Sequence, residues 1–324
     1  MKVIPLAAES LGVRSMATYV EVAGRGILID PGATLAPSRL GLPPADEEWE
    51  ALRRANDRIS AYAARAEMIF VSHYHEDHFR SDPASYAGRT VLVKDPRRMV
   101  QGLQARRGNE LWKSLQGSAR VAVADDFRER SPDLVIEASP PLPHGLEGTS
   151  LGYVVALTIA DLAERQRFVF ASDVQGPLSA VAAAYIIRQR PTLLYLAGPP
   201  SYIERELGTA LIDRGLAHLA EIVEATGCRA IMDHYALRDV RWRERFARLW
   251  DTGRVTTAAA YLGLDDTVLE ARRAELWGRV RKPPAGAPSG RAIMARRFSP
   301  RPSSGSSTGR AAGSGAKLAK GGFK

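Results

Sequence analysis

Cysteine is almost absent: Cys228 is the one example in 324 residues. A disulfide within the chain is excluded, which fits a reducing compartment. Cys228 stands just before the apolar run Ala230-Ile231-Met232 and reads as a small buried residue. Also missing is any uninterrupted apolar run near the roughly 18 residues of a membrane helix. The first residues offer one lysine and a short apolar stretch, Val3 to Ala8, broken by Glu9, which is not a secretory signal. Cytoplasmic location follows by elimination, and no membrane partner is expected.

Basic excess is missing from most of the chain, although the net charge is +9. Residues 279–324 hold eleven Lys and Arg and no Asp or Glu. Removing those eleven from the 45 basic residues leaves 34 against 36 acidic ones, a net of −2 for residues 1–278. The body is near neutral and the end is basic. The sequence therefore divides into a domain over 1–280 and a tail over 281–324. The tail is rich in Gly, Ser, Ala and Pro without apolar periodicity, so it cannot bury enough surface to offset its ordering entropy and is expected to be disordered. It reads either as a solvated segment or as a weak binder of polyanions through counterion release. Phe298 and Phe323 are isolated, so base stacking has no support.

What is present is concentrated. Three of six histidines fall in His73-Tyr74-His75-Glu76-Asp77-His78, directly after the buried-strand pattern Met68-Ile69-Phe70-Val71. Histidine and carboxylate are ligands that borderline divalent metals prefer. In extended backbone His73 and His75 point to one side and can share an ion. Asp77 and His78 follow a turn and face a second position. Further ligands must come from other strand ends. His144 follows Leu134-Val135-Ile136 and a Pro-rich stretch, Asp173 follows Phe168 to Ser172, and His234 follows Ala230 to Asp233. Asp30 ends Gly26-Ile27-Leu28-Ile29. His218, inside a helical run, reads as an ordinary helix residue, and Glu76 as a solvated one.

This order of residues resembles the metallo-β-lactamase superfamily. The flanks Ser72 to His78, Phe170 to Pro177 and Met232 to Tyr235 are most similar to a little-characterised group of predicted metallo-hydrolases from archaea and bacteria. The resemblance runs to about Trp277. It implies that His73, His75 and His144 bind one metal and that Asp77, His78 and His234 bind another. It further implies that Asp173 bridges them and that Asp30 orients the motif loop from behind. The implied cofactors are two divalent ions, Zn first, with Mn or Fe as alternatives. The 61 positions from Asp173 to His234 admit one extra strand–helix unit. They are too few for the large insertion of the nucleic-acid-processing branch.

The expected fold is α/β (α+β): strands alternate with helices and place the ligands at strand ends. Two mixed sheets packed face to face with helices outside, a four-layer αβ/βα sandwich, satisfy this pattern. Helices are expected over 46–66, 96–116, 178–188, 203–225, 240–250 and 256–280. The last carries Leu262, Leu269, Leu276 and Val280 as an apolar stripe for the body or for a second subunit. Exposed Arg97, Arg98, Arg106 and Arg107 either line a groove or form a solvated face.

The expected activity is metal-dependent hydrolysis of an ester-like bond (phosphodiester, thioester, lactone or amide) in a small or nucleotide-like substrate. Asp77 is the candidate to orient the nucleophile or move its proton. Ser201, Tyr202 and Tyr235 are candidates for substrate contact, as are Arg14 and Ser15, with turn chemistry or packing as the alternative for each. Two rival readings stay open: a nucleic-acid-processing or -binding protein using the tail, and a di-iron redox protein on the same scaffold. Oligomeric state is not legible.

Overall fold

The computed structural model describes residues 1–280. The basic tail expected over 281–324 lies outside the described residues.

The first sheet holds six strands in sequence order: β1 (Lys2–Pro5), β2 (Thr18–Val22), β3 (Arg25–Ile29), β4 (Met68–Val71), β5 (Thr90–Val93) and β6 (Arg120–Val123). The first three pair antiparallel and β3 to β6 pair parallel. The Ala23-Gly24 turn joins β2 to β3 with both residues at positive φ, 47° and 76°, as a tight hairpin requires.

The second sheet collects β7 (Arg128–Arg130), β8 (Leu134–Ala138), β11 (Leu157–Asp161), β12 (Gln166–Ser172), β13 (Leu193–Ala197), β14 (Arg229–Asp233) and β15 (Val255–Thr256). Between β8 and β11 a small hairpin, β9 (Leu142–Pro143) and β10 (Tyr153–Val154), stands apart. Strands β12 to β15 are parallel, and β7, β8, β11 and β12 pair antiparallel.

Strand side chains alternate between faces, and this builds the layers. From β4, Met68 and Phe70 enter the core between the sheets, while Ile69 and Val71 face the outer core. From β12, Phe168 and Phe170 join the inter-sheet core, and Val169 and Ala171 face the other way. Helix α1 (Asp46–Ala63) covers the first sheet with Ala51, Ala55 and Ile59, and α2 (Gly102–Ser114) adds Leu111. Helix α3 (Ala180–Gln189) and, after the single turn α4 (Glu204–Leu207), helix α5 (Thr209–Thr226) cover the second sheet with Ile186, Ile212, Leu219 and Ile222. Each fully buried residue of this kind contributes about 1.5–3 kcal/mol of transfer free energy. The result is the four-layer αβ/βα sandwich.

Several expectations fail locally. The helix expected over 203–225 breaks at Gly208, whose φ of 87° ends α4. The helix expected over 256–280 does not form as one piece. Gly263, at φ 74°, follows the short helix Ala258–Tyr261, and regular helix resumes only at Arg273–Val280. Asp266 turns back to bond Thr257 and Arg243. Leu269 packs on the α1 layer and Leu276 is buried, so these two leucines serve the body. Helix α1 begins at Asp46 with Ala45 as its cap, which offers no side-chain oxygen. The Glu48 carboxylate accepts from Ala45 N at 2.9 Å and takes both ends of the buried Arg273 guanidinium at 2.8 Å.

Candidate metal centre

Four strands end at one rim. β3, β12 and β14 each turn there through left-handed backbone at a non-glycine residue: Asp30 (φ 46°), Ser172 (φ 53°) and His234 (φ 61°). Such conformations cost energy for side chains other than glycine and cluster at functional sites. β4 ends at Ser72 and delivers the motif loop. The β9–β10 hairpin supplies His144, whose N–H donates to Gly152 O at 3.0 Å. The Pro-rich stretch hid that hairpin from the sequence reading, because proline cannot donate to a ladder.

The seven ligand candidates meet around Asp173. Its Oδ2 lies 3.4 Å from His73 Nε2, 3.4 Å from His78 Nε2 and 3.1 Å from His144 Nε2. Its Oδ1 lies 3.5 Å from His234 Nε2, which is 3.6 Å from Asp77 Oδ2. Three groups with converging donor atoms result: His73, His75, His144 and Asp173; Asp77, His78 and His234; and, behind the motif loop, Asp30 with His73 and His78. His73, His78, His144, Asp173 and His234 are fully buried, whereas His75 and Asp77 retain some exposure and mark the mouth.

A metal fits this donor set. His78 Nε2, both ring nitrogens of His144, and Asp173 Oδ1 are buried without a hydrogen-bond partner. Orphaned buried polar atoms are rare and costly unless something else engages them. Burial, reinforced by neighbouring histidines, pushes His73 and His75 down to about 3, so both are neutral donors at pH 7. Burial would raise Asp77 and Asp173, but His78 and His234 outweigh it and hold both below the usual carboxylate range. Burial opposes the charged form of His234, yet Glu9 and Asp173 raise it to about 9.

Asp30 stands behind the motif loop. It accepts from Ser72 N at 2.7 Å and Ser72 Oγ at 2.5 Å, and pairs with His78 Nδ1 at 2.8 Å. Glu76 points outward to Arg107, and Tyr74 is buried with its hydroxyl on Lys94 O. His218 pairs with Pro177 O at 2.9 Å, outside the cluster. Tyr235 donates to Asp173 Oδ2 at 3.0 Å and so touches the cluster. Ser201 is buried and donates to Asp239 at 2.8 Å, while Tyr202 lies under the Arg39 guanidinium at 4.8 Å. Arg14 is forked on Glu270 with both bonds at 2.6 Å, and Ser15 donates to Gly32 O at 2.6 Å.

Four residues at the site had no motif to reveal them. Glu9 pairs with His234 Nδ1 at 2.8 Å and accepts from Arg238 Nε at 2.6 Å. Arg238 Nη2 lies 3.6 Å from Asp77 Oδ2 and 3.2 Å from His234 Nε2. Gln104 places its amide nitrogen 3.2 Å from His75 Nε2. Asp233 accepts from the backbone of Ser10, His234 and Ala258. Glu9 and Asp233 did leave a local signal, each being an acid that ends an apolar run.

The sandwich with a His/Asp cluster on its rim is the metallo-β-lactamase fold expected above. Among solved structures, the chain is similar to Zn-bound PqqB from Methylobacterium extorquens (TM-score 0.49, 11% identity, 82% of this chain and 99% of that one). It is also similar to an isothiocyanate hydrolase from Delia radicum gut bacteria (TM-score 0.48, 13% identity, 76% and 94%). A third is CmlA, a diiron β-hydroxylase from Streptomyces venezuelae (TM-score 0.43, 12% identity, 74% and 51%). No protein-family model matches the chain. Among curated proteins, it is 41% identical over 298 residues to a UPF0282 protein of Thermococcus gammatolerans, covering 87% of this chain and 96% of that protein. UPF0282 proteins of Pyrococcus furiosus and Methanocaldococcus jannaschii are 39% and 38% identical, over 85% of this chain and 92% and 96% of theirs. On these identities over nearly the full length of its relatives, the chain belongs to the UPF0282 family.

Proposed function

We propose that this protein is a metal-dependent hydrolase acting on an ester-like bond: a phosphodiester, thioester, lactone or amide. One observation carries the reading. Asp173 lies between two three-member His/Asp groups, and buried donor atoms of both its own carboxylate and its neighbours have no hydrogen-bond partner. His73, His75 and His144 would hold one ion and Asp77, His78 and His234 the other, with Asp173 shared. Zn is the first choice of metal, and Mn or Fe suit the same donors. When bound, two such ions would lower the pKa of a water between these residues toward 7 and polarise a carbonyl or phosphoryl oxygen.

The chain's own residues do the rest. Asp77, ionised and partly exposed at the mouth, would orient the attacking water. Asp30 and Glu9 hold His78 and His234 in one tautomer and one orientation. Tyr235, already on Asp173, is the best-placed candidate to contact substrate, with Ser201 and Tyr202 beyond it. No serine or cysteine nucleophile is needed, and Cys228 is buried in the second sheet's outer core.

The nucleic-acid reading gains nothing from the described residues. Arg97, Arg98, Arg106 and Arg107 each have a carboxylate partner, Asp95, Asp126, Glu110 and Glu76 respectively. A small-molecule substrate is therefore proposed, in a soluble cytoplasmic setting. Among the described residues no helix is long and apolar enough to cross a membrane.

The test is a hydrolysis screen over phosphodiester, thioester and lactone substrates with the purified protein. Turnover should stop with a chelator, return with Zn, Mn or Fe, and be lost in Asp77→Asn. Turnover indifferent to chelator would overturn the proposal. A metal-loaded protein that reduces dioxygen and hydrolyses none of these would favour the di-iron reading.

A further inference from the structure

The two ligand groups differ in what stands behind them. His78 and His234 each present Nδ1 to a buried carboxylate, Asp30 Oδ2 and Glu9 Oε2, both at 2.8 Å. Asp77 adds a third carboxylate within the group itself. The opposing cation in contact with these ligands is Arg238, which also bonds Glu9. Three carboxylates thus surround this group against one guanidinium, which itself touches Glu9 and Asp77.

The other group has no carboxylate of its own beyond the shared Asp173. His73 Nδ1 meets the Ser72 hydroxyl at 2.9 Å. It reaches Asp30 only through that hydroxyl, whose single proton goes to the carboxylate. His75 Nε2 faces the neutral Gln104 amide. His144 Nδ1 has no hydrogen-bond partner among the described residues.

A carboxylate on the outer nitrogen fixes a histidine's tautomer and makes the inner nitrogen a better donor. It also adds negative charge where the surroundings screen poorly. Given the two-metal reading on which this rests, we infer that the Asp77/His78/His234 position is the tighter one and fills first. Glu9 is the positioning residue that sets much of the difference. Its two oxygens are committed to His234 and Arg238, so the carboxylate cannot rotate away from the imidazole.

The experiment is a Zn titration of the full chain, stripped of metal, against a chromophoric chelator. Two steps are expected, the first at least about tenfold tighter than the second. His144→Ala should erase the weaker step and leave the tighter one. Glu9→Gln should weaken the tighter step by about 10- to 100-fold with the weaker one unchanged. Glu9→Asp, which keeps the charge, should recover part of that loss. Two equal steps, or loss of the tighter step in His144→Ala, would overturn the inference while leaving two metals bound. Absence of Zn binding in the unmodified chain would overturn the underlying site reading and the inference with it. If Glu9→Gln fails to fold by circular dichroism, His144→Ala and Asp77→Asn decide the order between them.

Discussion

Glu9 and His234 are 225 positions apart in the chain and 2.8 Å apart in the fold. The contact joins the short 3-10 turn Glu9–Leu11 to the turn His234–Arg238 after β14. Asp233 locks the same junction. Its Oδ1 accepts from Ser10 N at 3.2 Å and His234 N at 2.7 Å, and its Oδ2 accepts from Ala258 N at 3.0 Å. Asp233→Ala would orphan three buried N–H groups at about 1–3 kcal/mol each. Against a total stability of about 5–15 kcal/mol, that is a severe loss. Urea denaturation should show a loss of unfolding free energy of that order and a lower midpoint, and a wild-type midpoint would contradict the assignment.

Gly32 makes a different demand on the site. A Cβ there would fall 2.4 Å from Phe79 N and 2.6 Å from His78 N, both rigid backbone. Gly32→Ala must displace the motif loop that carries Asp77 and His78. The expected outcome is reduced metal retention together with a lower melting temperature. Metal content and melting equal to wild type would show that the loop yields without cost.

Glu270 gives the fold a dependence on acid. Burial would raise its carboxyl, but the forked bonds from Arg14 hold it below its ordinary value of 4.5. A depressed carboxyl adds stability above its unfolded pKa and loses it as pH falls through the folded one. Glu270→Gln should therefore be less stable than wild type at pH 7, with the gap closing below about pH 4.5. Paired denaturation curves from pH 3 to 7 read this directly. A gap independent of pH would remove Glu270 from the account.

Cys228 is 1% exposed, and burial pushes its thiol up from 9.0. The thiolate is the reactive form, so a thiol-reactive dye should leave the native protein unlabelled. In guanidinium it should add one label per chain. Rapid native labelling would contradict its burial in the second sheet's outer core.

Much of this site was legible because each ligand follows an apolar run. Strands β4, β12 and β14 each carry an apolar run, and the polar residues just beyond those runs include His73, Asp173 and His234. The alternation of strands with helices, with ligands at the strand ends, pointed to the two sheets in the same way. Gln104 and Arg238 were not legible, and Glu9 showed only as an acid ending an apolar run, because each is a single polar residue whose meaning comes from a neighbour far away in sequence. The C-terminal segment misled for a local reason. Leucines at 262, 269 and 276 repeat like a helical stripe, yet Gly263 and the bonds of Asp266 to Thr257 and Arg243 stop the helix between them.

The measurement that tests the central claim most directly is metal content per chain. It is made by elemental mass spectrometry on protein purified without chelator and freed of loose metal. The account predicts close to two equivalents of a transition metal, falling in His75→Ala and in Asp173→Ala, the latter losing more because Asp173 serves both positions. No metal retained, and none taken up from Zn, Mn or Fe, would contradict it.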